Sequence, residues 1–180
     1  MCYNDFVKKI VKISSIVVIF NILLGCKNPV IDNSKANLQK YEAYYQSIMD
    51  NDVFLHSSEN FSIEAVMNTV DDHFRFSIIL DEPKIAMFSI EMMAIIDDGS
   101  VSINYETVMP ASGIFDRSYD LIPYQQNEAA GFPRGIILDG LCDKPTVNLL
   151  VLVSWKNIDG TEVYKEYFQL EAKLDKTAKK

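Results

Sequence analysis

From Phe61 onward apolar and polar side chains alternate, acid-and-glycine turns interrupt the alternation at short intervals, and one run, TVNLLVLVSW at residues 146–155, is apolar on both faces. Together these observations predict a mainly β chain. The expected fold is an antiparallel, immunoglobulin-like sandwich of seven to eight strands over residues 60–172, preceded by one amphipathic helix over residues 34–51. A strand sends successive side chains to opposite faces, so period two with one apolar set marks a half-covered strand. An apolar run without alternation marks a central strand covered on both sides.

The elements follow in order. Ser34 can cap a helix in which Leu38, Tyr41, Tyr45 and Ile48 recur at spacings of three and four, with Tyr44 and Met49 widening the stripe. That stripe is expected to pack on the domain behind it. In residues 61–68 Phe61, Ile63, Ala65 and Met67 alternate with Ser62, Glu64, Val66 and Asn68. After a turn at Asp71 and Asp72, Phe74, Phe76, Ile78 and Leu80 alternate with His73, Arg75, Ser77 and Ile79, which completes a hairpin. The DEPK stretch at residues 81–84 is a turn, because Pro83 has no N–H to give to a central ladder. Residues 85–96 read as a longer strand closed by DDGS, and Val101, Ile103 and Tyr105 mark a further short one. Strands at 134–141, 146–155 and 161–172 are separated by the turns CDKP and KNIDG. Trp155 is expected to plug the core, although the paired cysteines of antibody domains are absent.

Residues 106–133, ETVMPASGIFDRSYDLIPYQQNEAAGFP, resist this scheme: they are weakly periodic, with one strand expected near 119–122. Long irregular connections in compact domains tend to carry function or to be disordered. Phe115, Tyr119, Tyr124 and Phe132 lie here among Arg117, Gln125 and Gln126, a mixture suited to recognition. Tyr119, Tyr124, Gln125, Gln126 and Phe132 are therefore the candidate binding residues. The competing reading is an edge strand and crossover that turn these aromatics inward.

The net charge of −8 argues against nucleic acid, whose phosphates need clustered Lys and Arg. The two histidines, His56 and His73, lack zinc-site spacing, and neither a GxSxG elbow nor an SxxK motif is present. Asp97, Asp98, Asn157, Asp159 and Glu162 offer oxygens in turns but do not follow a calcium-loop pattern, and Asp-Gly in a hairpin is explained by its tolerance of positive φ. No cofactor motif is readable, so neither catalytic residue nor metal nor cofactor is assigned. Cys142 lies between acids in DGLCDKP, which would raise a thiol pKa, and reads as a partly buried turn residue.

The start of the chain carries an address. Lys8, Lys9 and Lys12 precede 13 uncharged residues from Ile13 to Gly25, too short a run for a membrane span of about 20 residues but suited to a signal peptide. Leu23-Leu24-Gly25-Cys26 resembles the lipobox of bacterial lipoproteins, with Leu24 where a smaller residue is commoner. The resemblance implies cleavage before Cys26, diacylglycerol on its thiol and further acylation of the new amino terminus, palmitate being the type of chain implied. Residues 1–25 hold three lysines and one aspartate, so their removal takes the net charge from −8 to −10. Two or more acyl chains would hold the protein stably at a membrane, facing outside the cytoplasm. Residues 26–33 form a short tether, and residues 173–180 a basic tail with Lys173, Lys176, Lys179 and Lys180. As a whole the mature part looks like small sandwich lipoproteins of low-GC bacteria. The expected function is that of a lipid-anchored binding or accessory module of the cell envelope, with a neighbouring envelope protein or glycan as partner. An envelope hydrolase whose residues converge only in three dimensions, and a purely structural surface lipoprotein, are the competing readings.

Overall fold

A computed structural model describes residues 34–98 and 109–175. The signal segment, Cys26, the tether, the strand expected at Val101 to Tyr105 and the last tail lysines lie outside the described residues. Backbone ladders turn the alternating stretches into strands β1 (Ser62–Val70), β2 (His73–Asp81), β3 (Met87–Ile96), β4 (Ala111–Ser112), β5 (Tyr119–Leu121), β6 (Gly135–Cys142), β7 (Thr146–Lys156) and β8 (Val163–Lys173). The tyrosine-rich stretch forms one helix, α1 (Ser34–Met49). No described helix is long and apolar enough to cross a membrane.

The strands form two antiparallel sheets. One has the order β1-β2-β6; the other has the order β4-β3-β7-β8, with β5 also paired to β3. The second strand thus pairs with a late one across a crossover while the third pairs with the seventh, the Greek-key arrangement of an immunoglobulin-like sandwich. Between the sheets, Phe76, Ile78 and Leu80 of β2 and Ile136 and Leu138 of β6 meet Met92, Val151, Val153, Phe168 and Leu170. Trp155, 3% exposed, closes one end of this core. Its ring meets Phe61 edge-on at 5.7 Å and 90°, and stacks on Tyr164 at 5.6 Å.

The helix makes a third layer. Tyr41, Tyr44, Tyr45 and Ile48 are buried against Met93, Ile95 and Leu152 on the outer face of the larger sheet. This is why β7 is apolar on both faces: alternate residues face the other sheet and the helix. Leu38, expected in the buried stripe, is instead exposed at the first turns of the helix, and Tyr44 takes its share of the seam.

Element ends moved by one or two residues. β3 begins at Met87 rather than at residue 85, since the chain after Pro83 is still turning and Ile85 is exposed. Cys142 is the last residue of β6 rather than part of the turn, paired with Phe74, and Lys173 belongs to β8, paired with Thr146. The KNIDG turn is tied by Asn157, whose side-chain oxygen accepts the N–H groups of Thr161 and Glu162 at 3.0 and 3.2 Å.

Candidate functional site

Edge strands present unpaired N–H and C=O groups, so the four lateral edges of a sandwich are where a partner can attach. Three are covered. Leu55 bonds alongside β8, its N–H donating to Tyr167 O at 2.8 Å and its carbonyl accepting from Gln169 N–H at 3.0 Å. Met67 of β1 bridges to Leu174. The edge of β3 is paved by β4 and β5, which come from the long connection at 106–133. A bulge at Ser89 (φ +49°) divides β3, so that Met87 and Ile90 pair with β5 while Met92 and Met93 pair with β4. The N–H of Ser89, turned out of the ladder, donates to Asp120 Oδ1 at 2.8 Å. The fourth edge, that of β6, has no strand beside it among the described residues.

Along this open side β6 faces β4 and the turn that follows it, and two shallow clefts lie between them. One, about 340 Å³, is bordered by Phe76, Met109, Phe115, Gly140 and Leu141. The other, about 270 Å³, is bordered by Ser112, Asp116, Tyr119 and Ile137. Gly140 shapes the first, because its missing side chain leaves room for Phe76: a Cβ there would lie 2.1 Å from Phe76 Cζ. The β4 rim is held by Asp116, which accepts from Gly113 N–H at 2.5 Å. Gly113 is required there, with φ +79° and Ile90 O only 2.5 Å from where a Cβ would sit. Large apolar side chains stand in solvent around the opening: Ile137 and Leu141 are each 61% exposed and Phe115 is 53% exposed. Between the two aliphatic residues of β6 sits exposed Asp139, which accepts from Ser77 Oγ at 2.5 Å.

The sequence-predicted binding residues separate. Tyr119 borders the second cleft with Arg117 over its ring at 5.4 Å, and it packs partly on the core. Tyr124, Gln125 and Gln126 are exposed on a projecting turn, and neither they nor Phe132 border the two clefts. That turn is closed by Gln125 N–H onto Ile122 O at 3.1 Å, with Pro123 second and Tyr124 third at φ +60°. This is the pattern of a type II turn, which normally puts glycine in that third place. Tyr124 is fully exposed, at 100%. Phe132 is half-buried and exchanges backbone bonds with Asn127 at 2.8 and 3.0 Å, closing a loop capped by Gly131. The long connection is thus divided: β4 and β5 pave β3, with Ile114 and Leu121 buried, while the turn at 122–125 projects; the connection's aromatics are not all turned inward, since Phe115 and Tyr124 are exposed. Ile137, Asp139 and Leu141 were missed. Their signal was present, since RGIILDGL is apolar at outward as well as inward positions without being a central strand.

Other reactive groups lie outside the two clefts. His56 Nδ1 is 3.3 Å from Gln169 O, and His73 Nδ1 is 3.3 Å from Asp143 Oδ1. Burial, opposed by the Lys144 carbonyl and aided by the Asp143 charge, pushes the Cys142 thiol pKa up. Beneath α1, Glu91 of β3 pairs with Lys40 and accepts from Tyr44 OH at 2.5 Å. Lys165 stands over the Tyr44 ring at 5.2 Å, and burial together with the Glu91 carboxylate pushes that phenol well above its ordinary pKa. This network lies at the helix–sheet seam, with Lys40 and Lys165 reaching solvent, and fastens helix to sheet. No group of three His, Cys, Asp or Glu side chains arranged for a metal ion occurs among the described residues. No family model, curated protein or solved structure matches the chain.

Proposed function

We propose that the protein is a lipid-anchored binding module of the cell envelope that recognises its partner along the open side of the sandwich, between β6 and β4. The observation that carries this reading is the cluster of solvent-exposed Ile137, Leu141 and Phe115 around two adjoining clefts at a bare strand edge. Single exposed aliphatics are ordinary on protein surfaces, but several gathered at one concave edge mark an interaction site. β4 and β5, paired to β3, support the rim, and a rim tied to the sheet in this way reduces the ordering entropy lost when a partner docks. Anchorage through Cys26 would keep the domain close to the membrane, because the tether is short. The basic start, the short apolar run and the Leu-Leu-Gly-Cys motif support that anchorage.

Two measurements test the reading. Cys26→Ala is expected to leave an uncut precursor that takes up no lipid label; processing and labelling like the wild type would remove the anchor from the proposal. A photocrosslinking residue at position 115 or 141 is expected to capture a partner in intact cells. The same probe at Ile158, exposed on the β7–β8 hairpin turn, should not. Equal capture from all three positions, or none, would move the binding surface elsewhere.

A further inference from the structure

We infer that β6 takes up an extended segment of a partner protein by antiparallel strand addition, and that the incoming strand carries a Lys or Arg opposite Asp139, flanked two residues away on each side by apolar residues. The inference rests on the open side of the sandwich being the recognition surface and names the chemistry recognised there.

Three features point the same way. First, β6 is eight residues long and hydrogen-bonded to β2 along its whole length on one side only. In an antiparallel pair alternate residues direct their N–H and C=O groups towards the neighbour and the others direct theirs away, so the far side of β6 presents a row of N–H and C=O groups that pair with no strand among the described residues. Such an edge is a template for a further strand. Natural sheets blunt bare edges with charged side chains, above all lysine, with proline or with a bulge; β6 has no lysine, proline or bulge within its bounds, and its one charge is Asp139. Second, the outward face of β6 reads Ile137, Asp139, Leu141, two exposed aliphatics around one exposed carboxylate. Residues directly opposite in adjacent strands have Cβ atoms roughly 5 Å apart, so the preferred neighbours are apolar, basic, apolar. Third, the inward-facing Gly140 has its own side-chain space filled by the Phe76 ring, and the 340 Å³ cleft opens beside it, bordered by Phe76, Met109 and Phe115. An incoming side chain opposite Gly140 would enter that cleft, which favours a large apolar residue next to the basic one.

The same charge argues against a second copy of this chain on the edge. Two β6 strands related by a twofold axis, in the register that sets Ile137 against Leu141, bring Asp139 against its own copy. Shifting by two residues, the smallest slip that keeps the same faces together, sets each Asp139 against Ile137 or Leu141 with no counter-charge. The chain as a whole carries −8, so self-association gains nothing from long-range attraction either. A basic strand from another protein meets neither obstacle.

The test uses the full chain in detergent micelles and a labelled, terminally blocked peptide, Ser-Val-Phe-Lys-Thr-Val-Ser. In antiparallel alignment its first Val lies opposite Leu141, Phe opposite Gly140, Lys opposite Asp139 and the second Val opposite Ile137. Anisotropy is expected to report binding, and amide exchange is expected to slow at β6 and not at β8. Asp139→Lys should weaken the Lys peptide about tenfold and strengthen a Lys→Glu peptide by a similar factor, because a cross-strand ion pair is exchanged for a like-charge pair and back. Asp139→Asn should weaken the Lys peptide by less and leave little discrimination between the two. Asp139 is exposed, so these variants keep the fold, and a circular dichroism spectrum checks that. A Phe→Pro peptide, lacking the N–H and the extended freedom of that position, should lose binding. Failure of the Lys peptide to bind, binding without protection of β6, binding indifferent to the charge swap, or a peptide-free dimer with β6 already protected would overturn strand addition. If crosslinking from positions 115 and 141 still captures a partner in cells, such as a glycan, the recognition surface stands and only this inference falls. If it captures nothing, the surface itself is wrong.

Discussion

β6 and β7 are adjacent in sequence and similarly apolar, GIILDGLC against TVNLLVLVSWK, yet they occupy opposite situations. β7 lies between β3 and β8, with one face on the other sheet and the other face under α1, so Val151, Leu152 and Val153 are fully buried. β6 has one neighbour and one covered face, and Ile137 and Leu141 remain in solvent. Apolar content alone therefore does not set burial. The number of neighbouring strands and layers does, and an apolar strand that lacks them keeps an unspent capacity for contact. In β7 the side chains hold the fold; in β6 the outward ones contribute little to it and are free to serve recognition.

Four measurements would break or sharpen this contrast. The largest effect belongs to β7: Trp155→Ala should cost about 3–5 kcal/mol in denaturant unfolding, because a ring packed on Phe61 and Tyr164 leaves a cavity. A loss under about 1 kcal/mol would mean that this end of the core is loose. Next comes the inward side of β6. Gly140→Ala puts a Cβ 2.1 Å from Phe76 Cζ, and Phe76 is itself buried, so strain of about 1–3 kcal/mol is expected. Unchanged stability would show that β6 can shift outward and would weaken the case for a preformed edge.

The third concerns the layer that distinguishes the two sheets. Tyr44 keeps its phenolic proton in the folded protein beyond the pH at which a free phenol, with pKa 10.0, releases it. The folded chain then holds more protons than the unfolded one as pH rises past 10.0, so this group's stabilisation is complete below that value and declines above it, by up to about 1.4 kcal/mol per pH unit. Tyr44→Phe should cost about 1 kcal/mol near neutral pH, through the lost bond to Glu91, and should flatten the alkaline decline. An alkaline profile identical to the wild type would detach Tyr44 from helix docking. The smallest effect is the most telling for recognition. Ile137→Thr, at an outward position of β6, should change stability by less than about 0.5 kcal/mol. A loss of several kcal/mol would put Ile137 in the fold rather than in the surface.

Strand positions were legible because the side-chain period of a strand is a local property. Phe74, Phe76, Ile78 and Leu80 announce their inward face whatever lies opposite, and β7 announced two covers by its lack of alternation. The helix stripe was legible for the same reason, apart from Leu38, whose exposure depends on where the sheet beneath α1 stops. The candidate site was legible only in part. The connection at 106–133 was correctly marked as irregular, and Tyr119 does border a cleft. The remaining candidates stand on a separate projecting turn, because composition does not tell a pavement strand from a loop when pairing runs across 20 or more residues, as between Ile90 and Tyr119.

By itself the sequence determined where the longer strands β1, β2, β3, β6, β7 and β8 run, which faces of them are apolar, that one helix precedes them, and that no disulfide joins the lone Cys142 to a second cysteine within the domain. Periodicity, turn chemistry and composition are written into neighbouring residues and need no knowledge of the rest of the chain. Only the tertiary structure decided which strand lies at an edge, since β6 and β7 differ in neighbours rather than in residue type. The edge left bare among the described residues, the cleft beside Gly140 and the exposure of Ile137 and Leu141 on either side of Asp139 arise from how the two sheets are laid together, and that arrangement is set by long-range packing that no local stretch encodes.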